Sequence, residues 1–214
     1  MQKNQKLQGR KEHMKYPVRE KSGSDHLNEN SGDIEGNRGV IMAEANEKLV
    51  IKGQTFGEGM PVLCVTIAGH REGEILRQVK SLTDECIPMI EIRGDFFDGL
   101  YDEDRLTEFF RTLSPMVENT VLLLTVRTIP QGGRTEPPAS YLQKIYDIAA
   151  ISGVCDFIDI EYNEFPHPAQ EIRRIHECGA RVLTSDHDYM QTAKSVDLLD
   201  LLEKMRKAGA DMVE

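Results

Sequence analysis

The sequence has no apolar run approaching the roughly eighteen residues of a membrane-spanning helix, and its first residues lack the apolar core of a secretory signal. It has no CxxC pair and no histidine at finger spacing: Cys64, Cys86, Cys155 and Cys178 stand far apart. That spacing argues against a zinc module and reads as small buried hydrophobes in a reducing cytoplasm. Positive charge is scarce, with 26 Lys and Arg against 36 Asp and Glu and a net charge of −10. Such a surface repels nucleic-acid phosphate and anionic lipid on average, although a local basic pocket for a small anion stays open. A glycine-rich dinucleotide loop is also missing, because "GHREGE" after the first apolar run does not match GxGxxG. These absences point to a soluble, cytoplasmic protein with a small-molecule ligand and no nucleic-acid or membrane partner.

What is there is enough apolar material for one sizeable core, 39% of 214 residues. It begins late. Residues 1–47 are polar and mixed in charge, with no sustained period, and cannot bury enough area to offset their ordering entropy. They read as a disordered tail or a mis-assigned start, and residues 48–214 as the folded domain. "KLVIKGQTFGEG" suits a small hairpin. Short apolar runs then begin at Val62, Ile87, Thr120, Asp156 and Ala180, with a stub in "ADMV". Their near-continuous hydrophobicity fits parallel strands covered on both faces.

Amphipathic stretches separate the runs. Ile75, Leu76, Val79 and Leu82 share one stripe, and Leu142, Ile145, Ile148 and Ala149 another. A third helix is predicted to start on Ser195 as N-cap, to turn Leu198, Leu199, Leu202 and Met205 inward, and to stop at Gly209. The repeating strand and helix units define an α/β chain, and the polar residues collect at strand ends. That arrangement favours a (β/α)8 TIM barrel, whose strand ends converge on one mouth, over a doubly wound sheet with a single switch-point crevice. With about five βα units and the start of a sixth strand, the barrel is expected to be incomplete.

In "EIRGD" the alternation of Glu91, Arg93 and Asp95 puts three charges on one strand face, which calls for mutual pairing or for a ligand. Arg127 ends an apolar run in "TVRTIPQGG", either as a planar fork for a ligand or as a surface side chain. Asp159 and Glu161 close the next run. His187, in "TSDHDY", has acid-base capacity near neutral pH, a structural alternative, and neighbouring aspartates that raise the question of a metal. Few other histidines lie near strand ends, which argues against one.

In order and spacing, ExRxD, TVR followed by GG, DIE and HDY resemble type I 3-dehydroquinate dehydratase, the Schiff-base class of the shikimate pathway. The likeness runs from about Leu49 to the last residue and implies a hydro-lyase converting 3-dehydroquinate into 3-dehydroshikimate, with no metal or organic cofactor. It implies that His187 is catalytic, that Thr66, Glu91, Arg93 and Arg127 bind substrate, and that Gln131, Asp159 and Glu161 stand behind them.

Two positions depart from the family pattern. Gln131 stands where the family has glutamate, and an amide cannot balance an imidazolium charge. The family's pattern of GAD, two residues and lysine, applied without a gap, puts Glu214 in the lysine position, and glutamate cannot form an imine. One reading is an incomplete dehydratase chain, whose active parent has a lysine there and about fifty further residues. The other is a non-catalytic relative that binds or regulates; an aldolase-like barrel fits the fold but not the combined motifs. An open sheet edge predicts self-association, with a homodimer as the simplest form.

Overall fold

A computed structural model describes residues 48–214; the tail assigned to residues 1–47 lies outside the described residues. The chain opens with a hairpin, β1 (Leu49–Ile51) and β2 (Gln54–Phe56), whose two-residue loop places Lys52 and Gly53 at φ of 46° and 78°. Positive φ at both positions is the geometry that matches the twist of paired strands. Lysine is an unusual occupant. Its ammonium offsets the strain by donating to the Val117 and Thr120 carbonyls at 2.9 and 3.0 Å and to Asp156 at 2.7 Å.

Six parallel strands follow in strict sequential order: β3 (Cys64–Ile67), β4 (Met89–Arg93), β5 (Val121–Thr125), β6 (Phe157–Glu161), β7 (Arg181–Ser185) and β8 (Met212–Val213). A doubly wound sheet must reverse its strand order at one point, and no reversal occurs here. The winding is that of a barrel wall, with β3 and β8 as the outer strands of the six.

The crossovers are α1 (Glu72–Asp84), α2 (Glu103–Leu113), α3 (Ala139–Ile151), α4 (Pro168–Glu177) and α5 (Ser195–Ala208). Period decides which side chains go inward: Ile75 and Val79, then Leu106, Phe109, Phe110 and Leu113, then Leu142, Ile145 and Ala149 are buried against the outer sheet face. On the inner face Met89, Val121, Leu123, Phe157 and Leu183 meet Ile51 of the hairpin, which floors the wall at its N-terminal end. The inner and outer layers therefore take alternate residues of the same strands.

Two expectations for α5 are corrected. Lys194, not Ser195, is its N-cap, and no side chain caps it. Of its apolar stripe only Met205 is buried, while Leu199 is 67% exposed, because the helix packs on β8 and α4 and nothing among the described residues covers its other flank. Gly209 does end the helix, at a φ of 106°. Asp95 is also corrected: the strand stops at Arg93, and a short turn over Gly94–Phe96 swings the aspartate out of the alternation and into the wall.

Candidate active site

The C-terminal ends of the strands carry a polar layer above the apolar floor. From β3, the Thr66 hydroxyl donates to Glu91 of β4 at 2.5 Å, so the two side chains act as one unit on the inner face. Arg93 forms a two-pronged pair with Asp95 through Nε at 2.8 Å and Nη2 at 2.9 Å. Asp95 also accepts the backbone N–H groups of Arg127 and Arg134, at 3.4 and 3.2 Å. With its side chain fully buried, this aspartate pins the loop after β5 to the end of β4.

Arg127 lies inside the wall. Its Nη2 donates to Asp159 at 2.7 Å, and its Nη1 to Ser185 at 2.6 Å and Glu161 at 3.3 Å. Ser185 donates onward to Asp159 at 2.7 Å, and Glu161 accepts the Thr128 N–H at 3.0 Å. Only 6% of the guanidinium side chain meets solvent, so it faces the two β6 acids and the β7 serine rather than the open space. Burial pushes the Asp159 carboxyl up to about 7, against the pull of Arg127 and the Ser185 hydrogen bond.

His187 follows β7. Its backbone N–H donates to the Gln131 side-chain oxygen at 3.0 Å, and the Gln131 amide reaches Glu164 at 3.4 Å. Gln131 therefore holds the main chain of His187 and not its ring. The ring directs Nε2 at the Glu214 carboxylate, 3.7 Å away, and its Nδ1 is buried without a hydrogen-bond partner. Burial and the Arg127 charge lower the imidazole below its ordinary range, so it is neutral at neutral pH. Tyr189 lies nearly parallel to it, with centroids 6.2 Å apart, and packs on Gly132, where a Cβ would come within 2.5 Å of its ring.

A cavity of about 680 Å³ on the inner face is bounded by Cys64, Thr66, Glu91 and Glu214 above and by Phe56 and Leu183 below. The expectation of buried thiols is corrected: Cys64 and Cys86 are exposed, Cys178 is half-buried and Cys155 alone of the four is buried, because Cys64 opens onto this cavity and Cys86 follows the end of α1. Partial desolvation at the cavity wall, then Glu91 and Glu214, push the Cys64 thiol up to about 11, which keeps it protonated. The cavity thus presents a hydroxyl and two carboxylates, and the His187 imidazole stands next to it, against Glu214. That set can bind hydroxyls and move a proton, and no group of three or more potential metal-ligating side chains is assembled among the described residues.

The residues named from the sequence fall into three groups: Thr66 with Glu91 on the cavity, Arg127 with Asp159 and Glu161 in the wall, and His187 with Gln131 at the β7 end. Arg93 stands apart with Asp95 at the β4 end. Ser185 was missed, and its one sequence signal was its place at the end of an apolar run, two residues before His187.

Comparison with known proteins matches residues 63–214 to the family described as type I 3-dehydroquinase. A curated 3-dehydroquinate dehydratase of Clostridioides difficile (strain 630) is 30% identical over 77% of this chain, and one of Listeria monocytogenes (strain F2365) is 26% identical over the same share. The chain spans 65% and 66% of their lengths, less than two thirds. A crystal structure of type I 3-dehydroquinate dehydratase from Clostridium difficile, with covalently modified comenic acid, has a TM-score of 0.75 at 28% identity and covers 79% of this chain and 67% of that one. The Geobacillus kaustophilus HTA426 enzyme shares the fold at a TM-score of 0.75 and 22% identity, covering 79% of this chain and 66% of its own. A barrel wall of sequential parallel strands, a polar layer at their C-terminal ends and a match across most of the described residues lead to one conclusion: the chain belongs to the type I 3-dehydroquinase family.

Proposed function

We propose that the inner-face cavity is a binding site for 3-dehydroquinate and that the reaction it is built for is loss of water to give 3-dehydroshikimate. The observation that carries this reading is the 3.7 Å approach of His187 Nε2 to Glu214, which sets a neutral imidazole beside the residue that occupies the family's imine-forming position. Dehydration next to a ketone needs a base for the C–H proton and an acid for the departing hydroxyl, and one imidazole can do both in turn. The first step needs the imidazole unprotonated, the form that burial and Arg127 favour at His187. The Thr66 and Glu91 unit and the exposed part of Arg93 suit the substrate's hydroxyls. Arg127, Asp159, Glu161 and Gln131 fix the wall and the main chain from which these groups project.

Glu214 has no amine, so this chain forms no imine at that position. In the complete family enzyme a lysine supplies the electron sink. A second reading, ligand binding without turnover, draws support from Glu214 together with Gln131, which makes no contact with the imidazole ring.

Borohydride trapping with intact-mass detection tests the reading. The chain as it stands should bind 3-dehydroquinate by calorimetry yet gain no covalent mass, while Glu214→Lys should gain one reduced substrate adduct. Absence of binding would sink the site, and an adduct on the unchanged chain would sink the statement about Glu214.

A further inference from the structure

Three loops at the C-terminal ends of β3, β4 and β5 bring basic groups around one half-buried ring, Phe96. The Arg134 guanidinium carbon lies 4.5 Å from the ring centroid, the Arg93 carbon 5.2 Å, and the His70 ring centroid 5.8 Å. The acids of the same turn are committed elsewhere: Asp95 pairs with Arg93, and Asp98 faces His70 at 4.0 Å. The Arg134 guanidinium forms no ion pair with a carboxylate among the described residues.

Its backbone is fixed all the same. The N–H of Arg134 donates to Asp95, Gly133 donates to Thr128 at 2.7 Å, and Ile129 donates to Thr135 at 2.9 Å. Stacking uses one face of a guanidinium and leaves the N–H groups around its edge available. An arginine held in this way has lost part of its rotamer freedom before any ligand arrives, so less is lost on binding. A planar edge of donors is the geometry that meets a carboxylate two-pronged.

We propose that Arg134, backed by Phe96 and beside Arg93, is a docking point for the carboxylate of a small cyclic ligand entering the barrel mouth. Only the identity of that ligand rests on the dehydroquinate reading; the docking chemistry does not. Arg93 contributes field more than hydrogen bonds, because Asp95 already holds its Nε and Nη2. Arg134→Ala removes a side chain that the sheet and core do not use, and Phe96→Leu removes the stack while keeping the charge.

The test follows arginine side-chain N–H signals by nitrogen NMR, with Arg134→Lys identifying the Arg134 signal by its loss. Cyclohexanecarboxylate should shift that signal and cyclohexanecarboxamide should not. Arg134→Ala should weaken carboxylate binding about ten- to a hundredfold, with a smaller loss in Phe96→Leu. An unmoved Arg134 signal, or equal binding by Arg134→Ala, overturns the proposal. Running 3-dehydroquinate in parallel separates the two readings. If cyclohexanecarboxylate engages Arg134 but 3-dehydroquinate does not bind, the functional reading fails and the docking point stands. If 3-dehydroquinate binds and neither it nor cyclohexanecarboxylate moves the Arg134 signal, only the docking point fails.

Discussion

At His187, burial and a nearby guanidinium act in the same direction, and both disfavour the charged ring. A histidine whose proton affinity is lower in the folded chain than in the unfolded one costs stability as pH falls through its ordinary value, because the unfolded state then takes the proton more readily. Gln131 cannot correct this, since its oxygen is on the His187 backbone. Replacing it by Gln131→Glu adds a negative charge beside the ring and should move the His187 titration to higher pH, read from its ring proton shifts. An unchanged titration would mean that the side chain at 131 lies outside the field of the imidazole. Glu91, Arg93, Arg127 and His187 were legible in the sequence because each interrupts or ends an apolar run, where burial makes a charge conspicuous. Ser185 was not, because a hydroxyl at a strand end breaks no pattern, yet it joins Arg127 to Asp159. Asp95 was legible as a charge but not as a hinge of the wall, because the turn over Gly94–Phe96 takes it out of the two-residue period.

The loop from Arg127 to Thr135 shows what an element between regular structures can contribute. It is tied to the sheet by Asp95 and closed on itself by the bonds from Gly133 and Ile129. At Gly133 the approach is so close that a Cβ would stand 1.8 Å from the Arg127 carbonyl oxygen. Gly133→Ala therefore forces the backbone apart, with an expected cost of roughly 1–3 kcal/mol. A urea unfolding midpoint measures that cost, and an unchanged midpoint would show that the loop adapts. Among the helices, α1, α3 and α5 were read from their apolar stripes, whereas α2 and α4 were not. In α2 the stripe is present, and its start is marked by Asp102, whose carboxylate accepts the Arg105 N–H at 3.1 Å. In α4 only Ile172 and Ile175 are buried, so its signal is thin. The sequence pattern carried α5 as a helix but not its burial, because burial depends on a neighbour and not on the helix's own period.

At the scale of the whole molecule, the six strands form, among the described residues, an open wall with edges at β3 and β8, and α5 adds Val196, Leu199 and part of Leu198 to their exposed apolar surface. Uncovered apolar surface of this kind favours contact between copies. Sedimentation should show concentration-dependent association of the chain, reduced in Leu199→Glu; a monomer at all concentrations would refute this. Sequential pairing has a further consequence. Each strand beyond β3 joins the strand before it, so the wall can be laid down in chain order from local partners. The hairpin is the exception, since its Lys52 reaches Val117, Thr120 and Asp156 across 65, 68 and 104 residues. Those acceptors exist in place only after β5 and β6 have met. The first described segment of the chain is then among the last to settle, a latch thrown from the front once the rear has assembled. Lys52→Ala should accordingly hasten unfolding, with little change in the folding rate, in stopped-flow measurements; an equal slowing of folding would show that the latch closes early.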